Sequence, residues 1–108
     1  MQLDSRHKEI LEKIKDKVYE LNPEAEIILY GSRARGTPHE ESDWDLLILL
    51  NQKEVSRKLE QTFRHHLFDL ELEFAEAIST FVLSKDIWNS KYKVTPFYKN
   101  VIREGIKL

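Results

Sequence analysis

The chain has 108 residues, a length that predicts one domain spanning 1–108, large enough for a real core and too small for a catalytic core plus appended substrate-binding domains. Lys and Arg total 17 against 19 Asp and Glu, a formal charge of −2, so no global positive field favours a long nucleic acid. Cysteine is absent, no stretch of ~20 apolar residues would span a membrane, and the charged, amphipathic N-terminus does not read as a signal peptide, which together fit a cytoplasmic protein.

In chain order, Asp4 or Ser5 caps a first helix reaching about Leu21, with Ile10, Ile14, Val18 and Leu21 as its buried stripe and Asn22-Pro23 as its stop. The charges between Lys8 and Lys17 form its wet face. Glu26-Ile27-Ile28-Leu29-Tyr30 is a short β-branched and aromatic strand ended by Gly31. The next residues, Ser32-Arg33-Ala34-Arg35, favour a short helix. A strand feeding a glycine turn lets the backbone approach an anionic ligand, Ser32 adds a hydroxyl, and Arg33 and Arg35 add planar forks suited to phosphate oxygens. Two arginines at i and i+2 diverge on a helical turn, so one of them faces the ligand; the sequence does not say which.

After the polar loop from Gly36 to Ser42 comes a buried strand, Trp44 to Leu50, with Asp43 and Asp45 at its head. The two-residue period puts both carboxylates on one face and Trp44 on the other, in packing. Side-by-side carboxylates repel unless a cation lies between them, and Mg²⁺, a hard ion that binds carboxylate and phosphate oxygens together, matches the set. Val55, Leu59, Phe63, Leu67, Leu70 and Phe74 recur at helical spacing, while Asp69 to Phe74 also alternates as a strand would; the longer pattern favours one long helix. Ile78 to Leu83 is the next strand. Thr95 caps a last helix with Pro96 at its first position and Gly105 beyond its end, and Ile106-Lys107-Leu108 adds a final short strand.

The segment Leu29 to Leu50 resembles the active-site signature of the DNA polymerase β superfamily of nucleotidyltransferases. Gly31-Ser32-Arg33-Ala34-Arg35-Gly36 with Ser42-Asp43-Trp44-Asp45 is especially similar to minimal nucleotidyltransferase (MNT) proteins that pair with HEPN-domain partners in toxin-antitoxin modules. The close match covers about a fifth of the chain, and Pro96 to Gly105 resembles the end of such proteins. The resemblance implies a mixed α/β (α+β) fold of the polymerase-β type, with a small mixed sheet flanked by helices. It also implies Mg²⁺ and ATP or another nucleoside triphosphate, and a role as the antitoxin half of a pair. On that pattern Asp43 and Asp45 are the catalytic and metal-binding pair, and Gly31, Ser32, Arg33 and Arg35 hold the nucleotide.

The family pattern includes a third carboxylate on the strand after the Asp-x-Asp strand, where this chain offers Ser79 and Thr80. Neither hydroxyl is a base near neutral pH, so binding is expected and turnover is in question, unless the alternating stretch is the strand and supplies Glu71 or Glu73. Two roles follow: transfer of AMP to a hydroxyl of a partner protein, or neutralisation of a HEPN partner by contact with the nucleotide site retained. Either suits a domain whose open acceptor side is completed by another chain, as a homo- or hetero-oligomer. A small-molecule acceptor has no segment left to form its pocket. Among the remaining candidates, His65 and His66 diverge on a helix and are structural, His39 is a loop residue that could touch phosphate, and Trp88, Tyr92, Phe97 and Tyr98 pack the last helix on the sheet.

Overall fold

The computed structural model describes residues 5–36 and 43–108, so Asp4, one of the two candidate caps, and His39 lie outside it. Helix α1 (Ser5–Leu21) buries Ile10, Leu11, Ile14 and Val18. Leu21, expected on that stripe, is 38% exposed: the helix ends there, and the chain turns away through Asn22, whose side-chain oxygen accepts from the Glu24 amide at 3.0 Å. Strand β1 (Glu26–Tyr30) leads into α2 (Gly31–Arg35), closed by Gly36 in the left-handed conformation. Strand β2 (Trp44–Leu50) follows.

The segment with two readings is helical. Helix α3 covers Arg57–Phe74, with the Ser56 hydroxyl accepting from the Leu59 amide and Phe63, Leu67 and Leu70 buried. Leu and Glu favour helix over strand, and the four-residue apolar spacing dominates the local alternation. The helix ends at Ala75, a non-glycine residue in the left-handed region with φ 53°. Beyond it lie β3 (Ile78–Ser84), α4 (Lys85–Asn89), a 3-10 turn over Tyr92–Val94, α5 (Pro96–Glu104) and β4 (Ile106–Lys107). The last helix has the expected ends, with the Thr95 hydroxyl accepting from the Tyr98 amide and Pro96 in the first turn.

The four strands form one mixed sheet in the order β3-β2-β1-β4. β1 runs antiparallel to β2 and to β4, and β2 runs parallel to β3. One face, carrying Ile27, Leu29, Leu46, Ile48, Leu50 and Val82, packs with α1 and α3. The other carries Leu47 and Leu49, covered by Trp88 of α4 and Val101 of α5 with Tyr92, Phe97 and Tyr98. Trp88 is 2% exposed, and its ring centroid stands 4.7 Å from that of Tyr98 and 5.7 Å from that of Phe97, so these aromatics pack as expected. β3 is an edge strand, and α3 reaches over it: the Ile78 amide donates to Glu71 Oε1 at 2.7 Å and the Val82 amide to Glu60 Oε2 at 3.5 Å.

Candidate functional site

The end of β1 and the head of β2 meet because the strands are antiparallel neighbours, with Tyr30 opposite Asp45. Asp45 in turn lies in register with Ser79 on β3. Tyr30, Asp45 and Ser79 therefore line one end of the sheet on the face that α4 and α5 cover further along. Asp43, exposed, precedes the strand, and Trp44, fully buried, points to the opposite face.

Gly31 adopts φ +77°, and the reason for glycine is its neighbour across the strands. A Cβ on Gly31 would stand 2.3 Å from Asp45 Oδ2 and 3.2 Å from its Cγ. The space left by the missing side chain is thus filled by the carboxylate itself, where the sequence suggested room for a ligand. Burial holds the Asp45 carboxyl above the ordinary aspartate range, the Asp43 charge raises it further, and the Arg35 guanidinium opposes both. Burial likewise raises the Tyr30 phenol, with the Asp45 charge adding to it.

The two arginines of the turn separate cleanly. Arg35 is about half exposed, close enough to Asp45 for its charge to be felt, and ion-paired to Glu104 of α5 at 3.2 Å. That pair and Arg103 hold the Glu104 carboxyl below its ordinary range. Arg33 is 6% exposed, its guanidinium 4.4 Å above the Trp44 ring and 2.9 Å from Glu76 Oε2. A cavity of about 140 Å³ adjoins the turn, lined by Tyr30, Gly31, Arg35, Phe97, Asn100 and Glu104 among others.

On β3 the side chain level with Asp45 is Ser79, whereas Thr80 pairs with Leu46 and is buried on the α1–α3 face. Glu71 caps the start of β3 from α3, and Glu73 is an exposed residue of that helix, so neither stands on a strand beside Asp45. Among the described residues no three His, Cys, Asp or Glu side chains gather as a metal cluster. His66 pairs with Glu20 at 2.7 Å, and His65 is exposed on α3. Sequence reasoning missed Tyr30 and Glu76. Tyr30 was legible as the residue before the turn; Glu76 lies 43 positions beyond its partner Arg33 and carries no local signal.

The donor set suits a hard divalent cation on chemical grounds. A carboxylate whose proton affinity is raised by burial and by the charge of a second carboxylate, and which packs against a backbone that leaves no room for a Cβ, belongs to an oxygen site seeking positive charge.

A four-stranded mixed sheet with helices on both faces, a glycine turn at the end of one strand and an Asp-x-Asp at the head of its antiparallel neighbour define a small nucleotide-transfer type of fold. The model of the nucleotidyltransferase domain matches residues 11–108, and the chain belongs to that family. Among curated proteins none matches the sequence significantly. Solved structures share the fold. A crystal structure of the toxin-antitoxin pair MntA-HpeT, in a variant with one tyrosine changed to alanine, superimposes with TM-score 0.65 at 19% identity, over 99% of this chain and 72% of that one. A second MntA-HpeT variant, with two aspartates changed to glutamate, gives 0.63 at 16% identity over 89% and 69%. A toxin-antitoxin structure with AMP-PNP gives 0.58 at 19% identity over 86% and 70%. Among the described residues no helix is long and apolar enough to cross a membrane.

Proposed function

We propose that the domain binds a nucleoside triphosphate, ATP foremost, with Mg²⁺ held by Asp43 and Asp45, and transfers AMP to a hydroxyl of a partner protein of the HEPN type. The observation that carries this reading is the Asp45 carboxylate wedged against Gly31, with Asp43 and Arg35 beside it. The AMP-PNP and the toxin-antitoxin pairs named for the structural neighbours support the nucleotide and the partner. The charge balance favours a protein acceptor over a long nucleic acid.

In this reading Ser32 and the backbone after Gly31 hold phosphate oxygens, and Arg35 leaves Glu104 to neutralise the β and γ phosphates. The acceptor oxygen bonds to the α-phosphorus, the bond from that phosphorus to the bridging oxygen breaks, and pyrophosphate departs with the charge that Arg35 balances. Mg²⁺, when bound, supplies charge stabilisation at the phosphoryl oxygens. With both aspartates holding the cation and Ser79 where a third carboxylate would stand, the acceptor's proton passes to water. Ser79 in register with Asp45 favours a second reading, in which the site binds nucleotide but turns over slowly and the partner is neutralised by contact.

The test is thermal melting with and without Mg²⁺–ATP. Saturation at about a hundred times Kd stabilises the fold by about 2.7 kcal/mol, and Asp43→Asn with Asp45→Asn removes the shift. An equal shift in that double variant refutes the metal assignment. Labelling of a HEPN-type partner with radioactive AMP then separates the two readings.

A further inference from the structure

Glu76 lies just beyond the end of α3, far in sequence from the motif residues, and its carboxylate reaches both of them. Oε2 accepts from Arg33 Nη2 at 2.9 Å and from the Trp44 indole Nε1 at 3.1 Å. Oε1 accepts from Arg6 of α1, whose other terminal nitrogen donates to the Phe74 carbonyl. Arg33 lies over the Trp44 ring, and His7 meets that ring edge-on at 5.3 Å with its Nε2 3.4 Å from Arg33 Nη1. Arg33 is the third residue of α2, and Trp44 sits between the two aspartates. One carboxylate therefore joins the helix bearing Gly31, Ser32 and Arg35 to the residue that separates Asp43 from Asp45.

Trp44 is fixed by the sheet, whereas the turn helix does not fix its own place. α2 is five residues long, its N-cap Tyr30 makes no side-chain cap, and a helix so short has no stability alone. Burying an ion pair is poor value for stability, because desolvation offsets the attraction; its better-attested use is to select one arrangement among several. Here Arg33 and Glu76 have side chains only 6% and 11% exposed. The chain also enters this corner through Ala75 at φ 53°, a conformation an L-residue adopts at a cost. An expensive backbone and a desolvated pair converge on one geometric relation, that between the turn and the Asp-x-Asp.

We infer that Glu76, acting through Arg33 and Trp44, is a positioning residue that sets the phosphate turn against the two aspartates, and that Arg33 belongs to this support and does not grip phosphate. The inference rests on the function proposed above for its ligand, but not for its geometry. The experiment uses the full chain with Glu76→Ala, Glu76→Gln, Arg33→Met and Arg33→Lys, at a temperature where each is folded by circular dichroism. Mg²⁺–ATP affinity is read by calorimetry, and amide exchange is followed at residues 31–36 and 44–46 against 10–18 in α1.

Glu76→Ala and Arg33→Met are expected to weaken Mg²⁺–ATP alike, by roughly ten- to a hundredfold, as loss of supporting partners does at ligand sites. Exchange should quicken at 31–36 and 44–46 and stay unchanged at 10–18. Glu76→Gln, which keeps an acceptor for Trp44, and Arg33→Lys, which keeps the charge, should fall between these and the wild type. Lower melting temperature with wild-type affinity and wild-type exchange at the turn would make the cluster a structural staple and overturn the inference. So would loss of binding in Arg33→Met with full binding in Glu76→Ala, which would make Arg33 a phosphate ligand. If the wild type itself does not bind Mg²⁺–ATP, the nucleotide reading falls alone: exchange quickened only at the turn and the aspartates sustains the positioning role, and uniform or unchanged exchange refutes it.

Discussion

Gly31→Ala is the sharpest perturbation the structure offers, because it acts through one contact. The new Cβ would sit 2.3 Å from Asp45 Oδ2, so the carboxylate must rotate away, and the backbone must hold φ +77° with a side chain. The left-handed conformation costs an L-residue about 1–2 kcal/mol. Driving the Asp45 side chain off its rotamer adds about 0.5–1.5 kcal/mol. A total near 2–3 kcal/mol lowers the melting temperature of a 108-residue chain by about 9–13 °C. The assay is a double-mutant cycle by thermal melting with Asp45→Ala, which removes Oδ2 and Cγ and leaves only the Asp45 Cβ at 3.4 Å, an ordinary contact. In that background Gly31→Ala should cost only the backbone share, giving a coupling of about 1 kcal/mol. Additive costs would show that the carboxylate does not fill the space of the missing Cβ, and the argument for why glycine stands there would fail.

Ala75→Gly removes the left-handed penalty at the end of α3 at some cost in chain entropy, for a net gain of about 0.5–1 kcal/mol, or roughly 2–4 °C in melting temperature; no gain would mean that the turn is unstrained. Asp45 has a folded pKa above its ordinary 3.8, so the folded chain holds more protons than the unfolded one between those two values, and stability should fall as pH rises through that window. Asp45→Asn should abolish this fall and saturating Mg²⁺ should flatten it; identical melting profiles for wild type and variant from pH 3 to about 7 would contradict the shift. Ser79→Asp puts a third carboxylate in register with Asp45 and should raise AMP labelling of a partner, by roughly a hundredfold if it serves as a base. Thr80→Asp should instead destabilise by burying a charge on the α1–α3 face, and equal gains from both would refute the facing assigned to β3.

Periodicity and end signals carried most of the fold. Thr95, Pro96 and Gly105 delimit α5, Gly31 stops β1, and the stripe from Leu59 to Phe74 prevailed over the alternation within it, because each is written in neighbouring residues. Leu21 escaped because a stripe does not say where the helix leaves the core. The two motifs were legible in the sequence, and the nucleotidyltransferase family that they resemble is shown by a match over residues 11–108. Which arginine faces Asp45 was not, since the answer depends on Glu76, brought alongside only when α3 and its αL turn are in place. Helix α4 left no sequence signal that was read, its five residues being shorter than any reliable period.

The reach of α3 over the edge strand bears on how the molecule meets other chains. In the parallel register with β2, Ile78 and Val82 turn their amides away from the sheet, where an extended chain could add itself as a fifth strand. Glu71 and Glu60 already occupy those donors with carboxylates. A strand arriving there would have to displace both carboxylates before making its first bonds. The outer margin of β3 is thus protected from indiscriminate self-assembly, a safeguard for a small sheet whose other margin, β4, is two residues long. A protein that binds along the outer margin of β3 would have to use side chains, which demand a matched surface, and not the backbone ladder that any extended chain could supply.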